Sequence, residues 1–188
     1  MAVTEVTRFA KSQFIPHPMM LFAAGTYEAD GSANLTLVSW MSFYWDGGLG
    51  ITLCLDGDKA VKRNFERTGW LTLNALTREQ TKLVDALGRA SGPQKAEAAA
   101  RFNLTAADGS PAPELADSPL VYEVELARQL EFDGSTLYFG RISAVRSAVA
   151  DAGEDGTAVY DIVAASPLLA SQRDYCCLTE GDVLGPWC

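Results

Sequence analysis

The sequence predicts a mainly β (α+β) fold, an antiparallel barrel that is closed or nearly closed, with helices inserted between its strands. Three observations point there. Six or so short stretches either alternate apolar and polar residues or run apolar throughout, as half-buried and fully buried strands do. Turn signals separate several of them, at Asp30-Gly31-Ser32, Asp46-Gly47-Gly48 and Asp133-Gly134-Ser135. Helical periodicity is confined to 58–69 and 79–102, and rolling the remaining strands into a barrel hides their edges.

In order, Pro16-His17-Pro18 interrupts a polar lead-in, and Met19 to Tyr27 reads as a strand buried on both faces. Asn34 to Val38 returns after the Asp30 turn, with Asn34 and Thr36 on one face and Leu35 and Leu37 on the other. Ser39 to Trp45 is aromatic-rich and open between strand and loop, and Trp40 and Tyr44 are expected to pack in the core. Leu49 to Leu55 has a clear core face. A basic helix follows, then a strand at Trp70 to Leu76. Glu79 to Leu87 and Gln94 to Phe102 are helical, parted by Ser91-Gly92-Pro93, and Asn103 to Ser118 is a long loop. Leu120 to Leu126 is a strand with Glu123 and Glu125 facing water, paired with Thr136 to Val145. Ala158 to Ala164 and Asp174 to Leu178 complete the strands before Gly185-Pro186.

At 188 residues the chain has the size of one domain that buries its own core. Its formal charge of −9 disfavours nucleic acid and anionic membranes as partners. Arg8 and Lys11 precede an apolar run too short for a signal peptide or a spanning helix. Cys54, Cys176, Cys177 and Cys188 form no CxxC pair, so they read as free thiols in a reducing cytoplasm, with no metal site.

The feature that stands out is the basic helix. Val61 and Phe65 give it an apolar face, Asp58 is expected to cap its start, and Gly69 suits a left-handed end. Lys59, Lys62 and Arg63 nevertheless crowd its first turn, where cations cost roughly 0.3–1 kcal/mol each against the helix dipole. A bound anion reverses that sign, making a phosphate seat of the cluster and the free N–H groups. The alternative is a solvated charged face, because exposed charges cost little.

Other chemistry lacks its parts. His17, the only histidine, is wedged between prolines, which disfavours a Ser-His-Asp engine. The sequence contains no HExxH, EF-hand loop or P-loop, and Gly47-Gly48-Leu49-Gly50 opens no helix. What remains is a set of polar groups, Asn34, Thr36 and Ser39 upstream and Lys59, Lys62, Arg63 and Asn64 downstream, suited to holding a cofactor that carries its own chemistry. No catalytic residue is singled out.

The order of these features resembles the flavin reductase-like, FMN-binding split-barrel family, which includes flavoredoxin-type proteins. The resemblance runs from about Pro18 to Leu184 and rests on Asn34 to Ser39, Lys59 to Phe65, Thr68 to Asn74, Lys95 to Leu104, Pro119 to Glu125, Gly134 to Ile142, Ser166-Pro167-Leu168 and Tyr175. It implies a Greek-key antiparallel split β-barrel, one FMN-binding domain over 1–188 with a helical and loop insertion at about 79–118. It also implies a homodimer with FMN at the subunit edge. By position, Asn34, Thr36 and Ser39, with Leu37 and Val38 in the same stretch, border the isoalloxazine and ribityl chain. Lys59, Lys62 and Asn64, with Arg63 beside them, hold the phosphate.

The function implied is an FMN-dependent oxidoreductase, an NAD(P)H-dependent flavin reductase passing electrons to a small-molecule or protein acceptor. Where many members carry a histidine linked to nicotinamide handling, this chain reads Asp133-Gly134-Ser135-Thr136, and Ala60-Val61 replaces a threonine near the phosphate. An electron-transfer protein without a nicotinamide site, or a barrel that has lost FMN, is therefore the alternative.

Overall fold

The structure, a computed structural model, describes residues 18–105, 110–152, 158–171 and 174–182. Expectations for Arg8, Lys11, His17, Gly185-Pro186 and Cys188 fall outside these residues. Met19–Met20 (β1) and Phe22–Tyr27 (β2) are followed by Ala33–Val38 (β3), Met41–Trp45 (β4) and Leu49–Asp56 (β5). Helix α1, Ala60–Thr68, leads to Trp70–Ala75 (β6), α2 (Thr81–Arg89) and α3 (Pro93–Ala99). Next come Leu104–Thr105 (β7), Glu114–Leu115 (β8) and the long hairpin of Leu120–Phe132 (β9) and Ser135–Ser147 (β10). The last strands are Ala150–Ala152 (β11), Ala158–Tyr160 (β12), Leu169–Ser171 (β13) and Asp174–Cys176 (β14).

Seven strands form one antiparallel sheet in the order β3-β2-β6-β9-β10-β5-β4. Its edge strands, β3 and β4, are neighbours in sequence, joined only by Ser39 and Trp40. A flat sheet of seven strands would set them about 29 Å apart at about 4.8 Å per strand. The link from Val38 to Met41 reaches at most about 11 Å. The sheet must roll up, yet no ladder joins β3 to β4 among the described residues. This is a Greek-key antiparallel split barrel, and the split runs between β3 and β4.

The barrel is filled from both faces of its walls. Phe22, Ile51, Leu53, Leu71, Leu73, Val124 and Tyr138 form the interior, and Val61 and Phe65 of α1 plug it with no exposed surface. A second cluster lies outside, where Val84 and Leu87 of α2 and Ala98 and Ala99 of α3 cover Leu35 and Leu76. The alternation in β3 thus serves two layers, Leu35 outward to the helices and Val38 inward. At Gly25 a Cβ would overlap the carbonyl oxygen of Pro113, so this stretch of the long loop lies flat on β2.

Several local expectations are corrected. Asp58 does not cap α1; Lys59 holds that position with no side-chain cap, and Asp58 pairs with Arg63 instead. Trp40 is half exposed rather than core, because it sits on the link at the split. Tyr44 is half-buried over Gly50, its hydroxyl donating to the Gly140 carbonyl at 3.2 Å. Strand β12 stops at Tyr160, since the Asp161 carboxylate accepts from the N–H groups of Val163 and Ala164 and forms a turn there. Glu123 does not face water, and Arg146 and Ser143 bind its carboxylate.

Candidate functional site

The start of α1 lies beside the split. Lys59 has extended backbone (φ −128°, ψ 143°), and no acidic residue occupies the first turn to balance the dipole. The N–H of Lys62 donates to the Lys59 carbonyl at 3.1 Å, which leaves those of Ala60 and Val61 without an acceptor inside the helix. Gly69 ends the helix in left-handed conformation (φ 76°), as its sequence position requires. The helix is thus pinned at its far end and left chemically open at the end nearest the split.

Charge gathers at that open end from three segments. The Lys59 ammonium pairs with Asp56, and this contact holds the Asp56 carboxyl below the ordinary carboxylate range. Across the gap, Thr36 of β3 is buried; its hydroxyl donates to Asn34 Oδ1 at 3.3 Å and accepts from Lys95 Nζ at 3.0 Å. Lys95 comes from α3. Burial, with the nearby positive charge of Lys59, pushes its pKa below that of a free lysine, although Glu28 partly offsets this. Neither Lys62 nor Lys95 forms an ion pair among the described residues.

The residues expected from the sequence divide into three groups. Leu37, Val38, Ser39 and Lys59 line one cleft of about 200 Å³ at the split, joined there by Cys54 and Asp56. Asn34 and Thr36 connect to it through Lys95, whose charge acts on Lys59. Lys62 and Arg63 instead line a separate recess with Glu66, Glu131 and Ser135, facing the β9–β10 turn. Asn64 points inward, 3% exposed, and its amide donates to the Thr26 hydroxyl at 3.2 Å, a bond that ties α1 to β2. Spacings of three and four along a helix placed these side chains near one another, but the helix presents them to different neighbours.

Lys95 is the site residue that sequence reasoning missed. It is the only cation in the alanine-rich α3 and lies far along the chain from Lys59. It opens the Lys95 to Leu104 stretch of the family resemblance, but nothing local marks it as a site residue; only the packing of α3 on β3 brings it to Thr36.

The donor set fits a phosphorylated planar cofactor. Two lysines and free helix N–H groups suit a phosphate, while the link through Ser39 and Trp40 supplies backbone and apolar surface beside it. Among the described residues no three His, Cys, Asp or Glu side chains group as metal ligands, and no helix is long and apolar enough to cross a membrane.

Residues 12–179 match the model of the flavin reductase like domain family. Flavoredoxin of Desulfovibrio vulgaris (Miyazaki F) superposes with a TM-score of 0.79 at 21% identity, over 95% of this chain and 94% of that one. An FMN-binding protein from Thermus thermophilus gives 0.76 at 18% identity, covering 99% of this chain and 100% of that one. Nitrilotriacetate monooxygenase component B from Bacillus cereus gives 0.77 at 14%, covering 96% of each chain. Likeness at such identities shows the shared fold alone. No curated protein matches the sequence.

Proposed function

The chain belongs to the flavin reductase-like family, and on that premise we propose that it is an FMN-binding oxidoreductase acting as an NAD(P)H-dependent flavin reductase. The observation that carries this reading is the meeting of Lys59, Lys95 and the uncapped start of α1 at the mouth of the split. When bound, FMN supplies the capacity to accept a hydride and to release electrons one or two at a time. The protein's part is to hold and orient it. Lys59 and Lys95 neutralise the phosphate, the Ala60 and Val61 N–H groups donate to it, and Asn34, Thr36 and the link at Leu37, Val38 and Ser39 border the ribityl chain and ring. Lys62 and Arg63 raise the local potential from the neighbouring recess, and Asn64 holds the helix against the barrel.

The same edge suits a second copy of the chain. Strand β4 has one side without a ladder among the described residues, and Phe43 and Trp45 on it are 50% and 77% exposed, a pattern that favours burial in a homodimer. The half-buried or exposed free thiols Cys54, Cys176 and Cys177 suit a reducing cytoplasm.

Absorption titration with FMN is the primary test. Saturable binding with a perturbed flavin spectrum is expected; no binding at millimolar FMN overturns the reading. Stopped-flow mixing with NADH and NADPH then tests the donor. One observation favours the alternative of an electron-transfer flavoprotein: the β9–β10 turn presents Ser135, not a histidine, to the recess containing Lys62 and Arg63. Bound flavin that stays oxidised with both nucleotides but is reduced by a protein donor would establish that alternative.

A further inference from the structure

The cleft at the split contains a carboxylate that works against a phosphate. Asp56, the last residue of β5, lines the cleft with Lys59, and its carboxylate takes the Lys59 ammonium in an ion pair. The hydrogen bond and charge of Lys59, with a smaller effect from Lys62, hold the Asp56 carboxyl below the ordinary carboxylate range, so it is ionised at neutral pH. Stability does not account for the pair. The Asp56 side chain is 72% exposed and that of Lys59 40%, and pairs so open to water contribute little. What the pair changes is the charge offered to an anion, because Asp56 cancels one of the two positive charges, Lys59 and Lys95, that meet there. The next acid along the chain supplies a comparison. Asp58 pairs with Arg63 and lines the recess that contains Lys62, not the cleft.

We propose that Asp56 sets the flavin affinity by competing with the flavin's phosphate for Lys59, and that it holds binding loose enough for the flavin to come and go as a substrate. This rests on the flavin reading and adds to it the manner in which the flavin is held. A phosphate that reaches Lys59 must either displace the Asp56 carboxylate or share the ammonium with it, and two anions on one cation repel each other. Either way the net free energy of binding shrinks, and a looser complex is expressed mainly as faster dissociation. The isoalloxazine and ribityl groups are uncharged, so the penalty falls on the phosphate.

The test is calorimetric titration of the full chain with FMN and with riboflavin, which lacks the phosphate. Asp56→Asn keeps the size of the side chain and removes its charge. It is expected to bind FMN about five- to tenfold more tightly than wild type, and to release it more slowly by a similar factor in stopped-flow displacement. Riboflavin affinity should not change, and Asp58→Asn, the same change of charge two residues away, should alter FMN affinity by no more than about twofold. FMN affinity that is unchanged or weaker in Asp56→Asn, a gain shared by riboflavin, or an equal gain in Asp58→Asn each overturns the proposal; the flavin reading survives all three, because wild type still binds FMN. If wild type shows no binding but Asp56→Asn saturates with FMN, the competition for Lys59 is upheld, and only the exchange of flavin as a substrate falls with the flavin reading. Binding by neither protein overturns both.

Discussion

Arg146 and Lys95 are both partly buried cations, and the fold treats them in opposite ways. The Arg146 guanidinium lies between the carboxylates of Glu114 and Glu123, which are only 6% and 15% exposed; its Nε donates to Glu114 at 3.1 Å and its pKa is raised by that contact. Lys95 meets only a hydroxyl, and burial, with the charge of Lys59 nearby, lowers its pKa. The first arrangement is self-sufficient and ties the long loop at Glu114 to the β9–β10 hairpin. The second is a debt within the free protein. A charge left half-satisfied beside an uncapped helix end marks where a negatively charged ligand completes the structure.

The contrast is broken most severely by removing both cations at the split. Lys59→Ala with Lys95→Ala should weaken FMN binding by about 2–4 kcal/mol, read by absorption titration, while urea unfolding of the free protein shows no loss attributable to Lys95. If affinity is unchanged, the cluster is a solvated face. Arg146→Met should do the reverse. It strands Glu114 in the interior, costing about 2–3 kcal/mol in urea unfolding, less than a fully buried pair because the guanidinium is 40% exposed, and FMN affinity should stay put.

Smaller effects sharpen the boundary between the two regions. Asn64→Ala leaves the buried Thr26 hydroxyl without its partner and should cost about 1–2 kcal/mol of stability, with little change in FMN affinity once the folded fraction is accounted for. Lys62→Ala should weaken FMN by less than about 1 kcal/mol, since its side chain lines the neighbouring recess. A pH series tests Lys95 last. Its pKa is lowered by folding, so free-protein stability should rise as pH climbs from that lowered value through the ordinary 10.5, and decline again as pH falls. A phosphate beside Lys95 reverses the shift, so FMN should bind more tightly as pH falls through the same alkaline range. Lys95→Met should flatten both trends, and a wild-type profile with neither trend would show that Lys95 carries no such debt.

Much of this molecule is legible one short segment at a time. Left-handed backbone at Gly31, Gly47, Gly69 and Gly134 falls at the expected turns and helix end, because positive φ is a steric matter settled by the residue itself. Alternation in Leu49 to Leu55 places Ile51, Leu53 and Leu55 in the core, because side chains along a strand change face at every step. The unfavourable charges at the start of α1 are equally visible, since the dipole acts within one turn. Other features depend on segments distant in sequence. Which edges meet, and hence that the barrel splits at Ser39 and Trp40, follows from the curl of the whole sheet. Asn64 turns inward because Thr26 waits there, and Lys95 joins the site because α3 packs on β3. Periodicity and sterics are local and were determined by the sequence alone; burial and charge pairing are sums over neighbours, which only the tertiary structure decided.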